Sequence, residues 1–171
     1  MEEIERKFLI QSIDNISLES YNKKTIIQDY LYSDKITTIR KRKIQEGENT
    51  GYYYTIKTNR SGKYSVQEIE SQIEEDVYNK LKQDVNRNTI VKDRYNIPIE
   101  DGLIIELDVF HGIFEGIIFA EIEFSSEKRA EEFKVPDWFD KELTGKITNN
   151  MMTKMSKEEF DEKIAEIEDV I

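Results

Sequence analysis

Same-sign charges recur two residues apart through segments that otherwise read as β-strand: Glu3 and Glu5, Arg40 and Arg42, Glu68 and Glu70, Lys92 and Arg94, Glu106 and Asp108, Glu121 and Glu123. Lys7 extends the first pair, and Lys57 stands alone in "YYYTIKTN". Successive side chains of a strand point to opposite faces, so each pair shares one face. In "EEIERKFLI", for instance, Glu3, Glu5 and Lys7 share one face, and Ile4 and Phe8 the other, with Arg6 between them. An antiparallel sheet with one solvated face accounts for any single pair. Two features of the set speak against that reading. The pairs are segregated by strand, whereas a solvated sheet favours opposite charges facing one another. The residues between them, as in "IIELDVF" and "FAEIEF", are strongly apolar, so the opposite face must itself be covered.

Closing such strands into a barrel makes the charged face either the outside or the lumen. A lumen holding six cations and eight carboxylates requires water, a polyanion for the cations and a hard divalent cation for the acids. A polyphosphate with Mg²⁺ or Mn²⁺ supplies both partners, because Arg and Lys donate to phosphate oxygens while carboxylates hold the metal.

The order of elements supports a barrel. "TIIQDYLYSD", "KITTIRKRKI", "YYYTIKTN" and "KYSVQEIESQI" read as consecutive strands separated by turn signals. From Glu75 the spacing of Val77, Leu81 and Val85 predicts an amphipathic helix. "NTIVKDRYNIP" returns to strand, and "DGLIIELDVF" and "GIIFAEIEFS" form a pair around "HGIFEG". "SSEKRAEEF" is a short helical pattern, and "VPDWFDKELTGKITNN" is mostly irregular, with Trp138 expected to bury itself against the barrel. The last segment places Phe160, Ile164, Ile167 and Ile171 on one helical face, starts at a Ser156–Glu159 capping box, and is expected to serve as a lid or a homodimer contact. The fold class is α+β: about eight antiparallel strands in a barrel with flanking helices, as one domain over 1–171, with the barrel and its helices in 1–155 and the C-terminal helix in 156–171.

The chain has 171 residues and no cysteine, which excludes disulfides, thiolate nucleophiles and zinc fingers. No window approaches the roughly 20 apolar residues of a membrane helix, and the opening residues form no signal peptide, so a soluble, cytoplasmic protein without membrane partners is expected. A net charge of −11 argues against nucleic acid as a partner.

The charged segments, in order, resemble the CYTH superfamily, the triphosphate tunnel metalloenzymes. "EIERK" is similar to its E-x-E-x-K signature, "TIRKRK" to its R-x-R strand, "YTIK" to its lysine strand and "QEIE" to its E-x-E strand. "VKDRY", "IELDVF" and "GIIFAEIEF" follow in the family's order, and "VPDWF" and "ELTGKITNN" resemble the end of its domain, so the likeness runs over 3–150. The resemblance implies an eight-stranded tunnel that hydrolyses inorganic triphosphate or a nucleoside or thiamine triphosphate, or cyclises ATP. It assigns phosphate binding to Lys7, Arg40, Arg42, Lys57, Lys92 and Arg94. It assigns metal binding to Glu3, Glu5, Glu121 and Glu123, with Glu68, Glu70, Glu106 and Asp108 as further ligands or water-orienting acids. Lys7 with Tyr30 would form an acid/base dyad. Three positions depart from the pattern: Val66 where arginine is frequent, removing one expected phosphate contact, Ile105 where tryptophan is common, and Lys146 where an aspartate stands. His111, Tyr52, Tyr53 and Tyr54 are expected to be structural.

Overall fold

The computed structural model describes residues 1–170, the side chain of Asn59 excepted. Nine strands form one antiparallel sheet: β1 (Glu2–Leu9), β2 (Asn22–Ser33), β3 (Thr37–Glu46), β4 (Asn49–Arg60), β5 (Ser65–Gln72), β6 (Ile90–Pro98), β7 (Ile104–His111), β8 (Ile118–Glu123) and β9 (Lys141–Glu142). Their spatial order is β5-β4-β3-β2-β6-β7-β8-β1-β9, and β1 also pairs with β5, so the first eight strands close on themselves. Four short helices accompany them: α1 (Glu75–Lys80), α2 (Glu127–Glu132), α3 (Asn149–Met152) and α4 (Lys157–Ala165).

Closure depends on β1, which divides its length between partners. Glu2, Glu3 and Ile4 pair with Gln67, Val66 and Ser65 of β5, while Glu5 to Leu9 pair with Glu123 to Phe119 of β8. On the β5 side, Phe8 and Leu9 pair instead with β9. Arg6, on the outer face, locks this patch: it donates to both carboxylate oxygens of Glu142 at 2.8 Å and to the Ala130 carbonyl at 2.9 Å. A bidentate, largely buried pair of this kind fixes orientation as well as charge.

The inward face changes character along the barrel. Strand alternation carries Glu5 and Lys7 to Leu9, Arg94 and Lys92 to Ile90, Asp108 to Phe110, and Glu121 to Phe119. Ile90, Phe110 and Phe119 join Phe114, Leu143, Ile147, Met152 and Phe160 in one apolar cluster, with Leu9 packed against it. This cluster seals one end of the lumen under α3 and α4, so the last helix is a lid. Its capping box forms as expected, with Ser156 Oγ accepting from the Glu159 amide. A second cluster, including Ile4, Phe8, Leu107 and Ile122, covers the outer wall beneath α2 and the 136–139 segment.

Three expectations about elements need correction. The helix after β5 is only Glu75–Lys80, and Val77 and Val85 are exposed; the residue that packs is Tyr78, against the Tyr52 ring at 4.9 Å and beneath Lys41. Lys41 Nζ donates to the Tyr78 and Leu81 carbonyls at 3.0 and 2.7 Å, so a cation holds the helix end that an apolar stripe was expected to bury. Trp138 remains 36% exposed, and its neighbour Phe139 fills the wall in its place. In the last segment Ile167 lies beyond the helix, and Ile171 falls outside the described residues.

Candidate active site

The lumen is a cavity of about 550 Å³. On its wall stand Glu3, Glu5, Lys7, Tyr30, Arg40, Arg42, Lys57, Glu68, Glu70, Lys92, Arg94, Glu106, Glu121 and Glu123. Of the residues to which phosphate, metal or acid/base roles were assigned from the sequence, Asp108 alone is missing from that wall. It is fully buried behind it, one oxygen accepting from Arg94 Nε at 2.7 Å and the other from Lys92 Nζ at 2.7 Å and Arg94 Nη2 at 2.8 Å. Asp108 therefore differs from its partner Glu106: its lone pairs are committed to holding two cations in place.

Each signature cation faces an acid. Lys7 Nζ lies 3.1 Å from Glu121, Arg42 2.7 Å from Glu70, and Lys57 2.6 Å from Glu3 and 3.4 Å from Glu68. Arg40 reaches Glu68 at 4.0 Å, and Arg94 contacts Glu106 and, at 3.0 Å, Glu121. Burial alone would neutralise Lys7, yet Glu121 and Glu5 hold its ammonium above the usual lysine range. Burial would likewise raise Glu121, but Lys7 and Arg94 keep it well below the usual carboxylate range. Lys92 goes the other way: burial outweighs Asp108 and lowers it to about 8.

The acids lack sufficient positive charge of their own. Burial, with Glu106, Glu3 and Glu5 nearby, pushes Glu123 up to about 7. Burial and Glu121 raise Glu5, which pairs directly with Glu123 across β1 and β8. As the side chains stand, no three carboxylates among the described residues converge on a single ion position. Their chemistry nonetheless fits a divalent metal: a cluster of hard oxygens, partly desolvated and repelling one another, is what Mg²⁺ or Mn²⁺ relieves. The basic wall also has capacity in reserve, since the buried Arg40 Nε and Arg42 Nε make no hydrogen bond among the described residues.

Lys7 and Tyr30 both stand on this wall, each with a further partner. The Tyr30 hydroxyl accepts from Gln28 Nε2 at 2.9 Å, whereas Lys7 is engaged by Glu121. Several wall residues were missed. Thr55, fully buried, donates to Glu70 at 2.9 Å, and its position two residues before Lys57 was an available signal. Asn149 accepts from Lys92 Nζ at 3.1 Å, but it lies in a stretch read as irregular, where no period points inward. Arg60 reaches the wall through a bulge that sequence spacing does not reveal. His111 bonds Asp93 at 2.9 Å and Tyr52 packs on Tyr78 at 4.9 Å, both away from the cavity lining.

A closed antiparallel barrel lined with interleaved cations and carboxylates defines a tunnel for a polyanion and a hard metal. Comparison with known proteins gives the same class. No family model matches the chain. An inorganic triphosphatase of Nitrosomonas europaea is 35% identical over 144 residues, spanning 84% of this chain and 90% of the relative. An inorganic triphosphatase of Acetivibrio thermocellus is 32% identical over 165 residues, spanning 94% of this chain and 98% of the relative. A crystal structure of an inorganic triphosphatase superposes with a TM-score of 0.60 at 30% identity, covering 90% of this chain and 95% of the other. The chain belongs to the CYTH superfamily of triphosphate tunnel metalloenzymes.

Proposed function

We propose that this protein hydrolyses inorganic triphosphate to pyrophosphate and phosphate inside the barrel, with Mg²⁺ or Mn²⁺ as cofactor. The observation that carries this reading is the convergence of all six signature cations and seven of the eight signature carboxylates on one cavity wall. Water adds to the phosphorus of an end phosphoryl group, the bridging P–O bond breaks, and the bridging oxygen leaves on pyrophosphate. The transition state is loose, so catalysis consists mainly of positioning and charge stabilisation. Lys7, Arg40, Arg42, Lys57, Lys92 and Arg94 grip non-bridging oxygens and take up charge on the leaving group. Asp108 acts through Lys92 and Arg94, which it orients. Glu3, Glu5, Glu68, Glu70, Glu106, Glu121 and Glu123 supply metal ligands and orient the attacking water, Glu5 and Glu123 being the pair most in need of a cation. When bound, the metal neutralises phosphate oxygens and polarises the reacting group. Lys7 also grips phosphate, and Tyr30, whose hydroxyl accepts from Gln28 and keeps its own proton, serves with it as the acid/base dyad.

Inorganic triphosphate is preferred over cyclisation of ATP because the wall offers no stacking surface: among the described lining residues the sole aromatic is Tyr30, 3% exposed. The chain works as one domain, and a reducing, cytoplasmic setting suits a protein without cysteine. No helix among the described residues is long and apolar enough to cross a membrane.

The test is incubation with inorganic triphosphate or ATP, each with Mg²⁺ or Mn²⁺, resolving phosphate, pyrophosphate, ADP and cyclic AMP, with Glu5→Gln as control. Phosphate and pyrophosphate from triphosphate, lost in the variant, are expected. Cyclic AMP from ATP without triphosphate turnover would replace the hydrolase by a cyclase.

A further inference from the structure

The barrel wall has a seam. Beyond Ile4 and Ser65, β1 parts from β5, and the gap is filled from the distant 141–148 segment. There the Lys7 amide donates to Thr144 Oγ1 at 2.9 Å and the Leu143 amide to the Lys7 carbonyl at 2.8 Å. A recess of about 40 Å³ opens in this seam, bordered by Glu5, Lys7, Arg60, Thr144, Gly145 and Thr148. A single water probe occupies roughly 10–15 Å³, so the recess admits one tetrahedral oxyanion and excludes a nucleoside.

Arg60 is placed there by an irregularity. Thr58 pairs with Gln67 and Arg60 with Val66, so Asn59 is an extra residue in β4, and Arg60 comes to the wall of both recess and lumen. Arg60 thus stands directly across from Val66, the position at which the sequence lacks an expected guanidinium. Gly145 turns beside it at φ +70°, and a Cβ at that residue would come within 3.3 Å of Arg60 Nη2. Arg60 Nη1 donates to the Lys63 carbonyl at 2.8 Å. The six signature cations are all matched to acids. Arg60, by contrast, has no carboxylate within ion-pair distance among the described residues.

We propose that Arg60 and the seam recess hold an end phosphate of the substrate, which makes Arg60 a specificity-determining residue that favours an unsubstituted triphosphate terminus. This rests on the triphosphatase reading. The recess joins Lys7, already in the tunnel, to a guanidinium free to form paired hydrogen bonds with phosphate oxygens, and the Thr144 and Thr148 side chains border the same space.

The test titrates inorganic triphosphate and ATP, whose α end is esterified, without divalent metal, into the wild type, Arg60→Ala and Arg60→Lys by calorimetry, followed by steady-state kinetics on triphosphate with metal. Arg60→Ala should weaken triphosphate binding about tenfold and ATP binding by less, as loss of one charge-assisted contact to an unsubstituted end predicts. KM should rise by a similar factor with kcat within about twofold, and Arg60→Lys should recover part of the loss. Unchanged triphosphate affinity in Arg60→Ala, or equal losses for both anions, would overturn the role of Arg60 while wild-type turnover preserved the triphosphatase. A wild type that neither binds nor hydrolyses triphosphate would overturn the parent reading and this one together. Melting curves of the variants distinguish lost binding from lost folding.

Discussion

Asp108 and Glu123 are both acids of the E-x-E type of spacing, yet their surroundings give them opposite effects on stability. Asp108 balances Lys92 and Arg94 in a dry site, so Asp108→Ala leaves two buried cations short of an acceptor. Removing one partner of such a buried group costs about 3–5 kcal/mol, and urea denaturation should show that loss. Glu123 faces other carboxylates, so Glu123→Gln should raise the melting temperature measured without metal. Adding Mn²⁺ should raise the melting temperature of the wild type by several degrees and that of Glu123→Gln by less, since a ligand that binds only the folded state stabilises it. His111 supplies a pH test on the outer surface. Its bond to Asp93 raises its affinity for a proton above the ordinary imidazole value of 6.5. The pair's contribution is therefore complete below that value and is lost as pH rises through the higher folded one. Because His111 is 38% exposed, screening limits the effect to about 0.3 kcal/mol. His111→Gln should differ from the wild type in melting temperature at pH 6 and match it at pH 9.

Among the elements, α4 shows how a short amphipathic segment can do a structural task far from its neighbours in sequence. Phe160 packs edge-on to Phe114 at 5.9 Å and near Phe119 at 6.2 Å, closing the apolar end of the lumen. Phe160→Ala should cost roughly 3–5 kcal/mol through the cavity it leaves, read from urea midpoints. The strands were legible because period-two charge and Ile-rich, Thr-rich and Tyr-rich runs agree, and the α4 start because Ser156 and Glu159 form their box. The sealed end was not legible: Ile90, Phe110 and Phe119 look like ordinary strand residues, and only closure shows that they continue the inward face. Spacing also placed Glu106 and Asp108 alike, since period two fixes a face but not a depth. Arg60 was hidden for a related reason, as a one-residue bulge changes the face of everything beyond it. The helix at Glu75 was overextended because Val77 and Val85 repeat at helical spacing while Tyr78, aided by Lys41, makes the contact.

At the level of the whole molecule, a chain of net charge −11 places eight of its Lys and Arg side chains on the wall of its lumen. The barrel is closed by contacts remote in sequence: β1 meets β8 well over a hundred residues later and meets β5 through only Glu2, Glu3 and Ile4. The short β1–β5 ladder should be the first part of the barrel to open. In native-state hydrogen exchange, amides bonded across Glu2–Ile4 and Ser65–Gln67 should lose protection before those of β2 and β3, which share a long ladder. Equal protection in both regions would show that the 141–148 segment clamps the seam as firmly as a full ladder. That segment mends the wall from outside the eight-strand ladder. Heritable change can therefore act on the two separately: an insertion or a new side chain in that turn alters the room beside Lys7, while the strand register passes unchanged to descendants. Divergence in the size of the anion accepted can then arise by editing one turn, with no need to invent a new barrel.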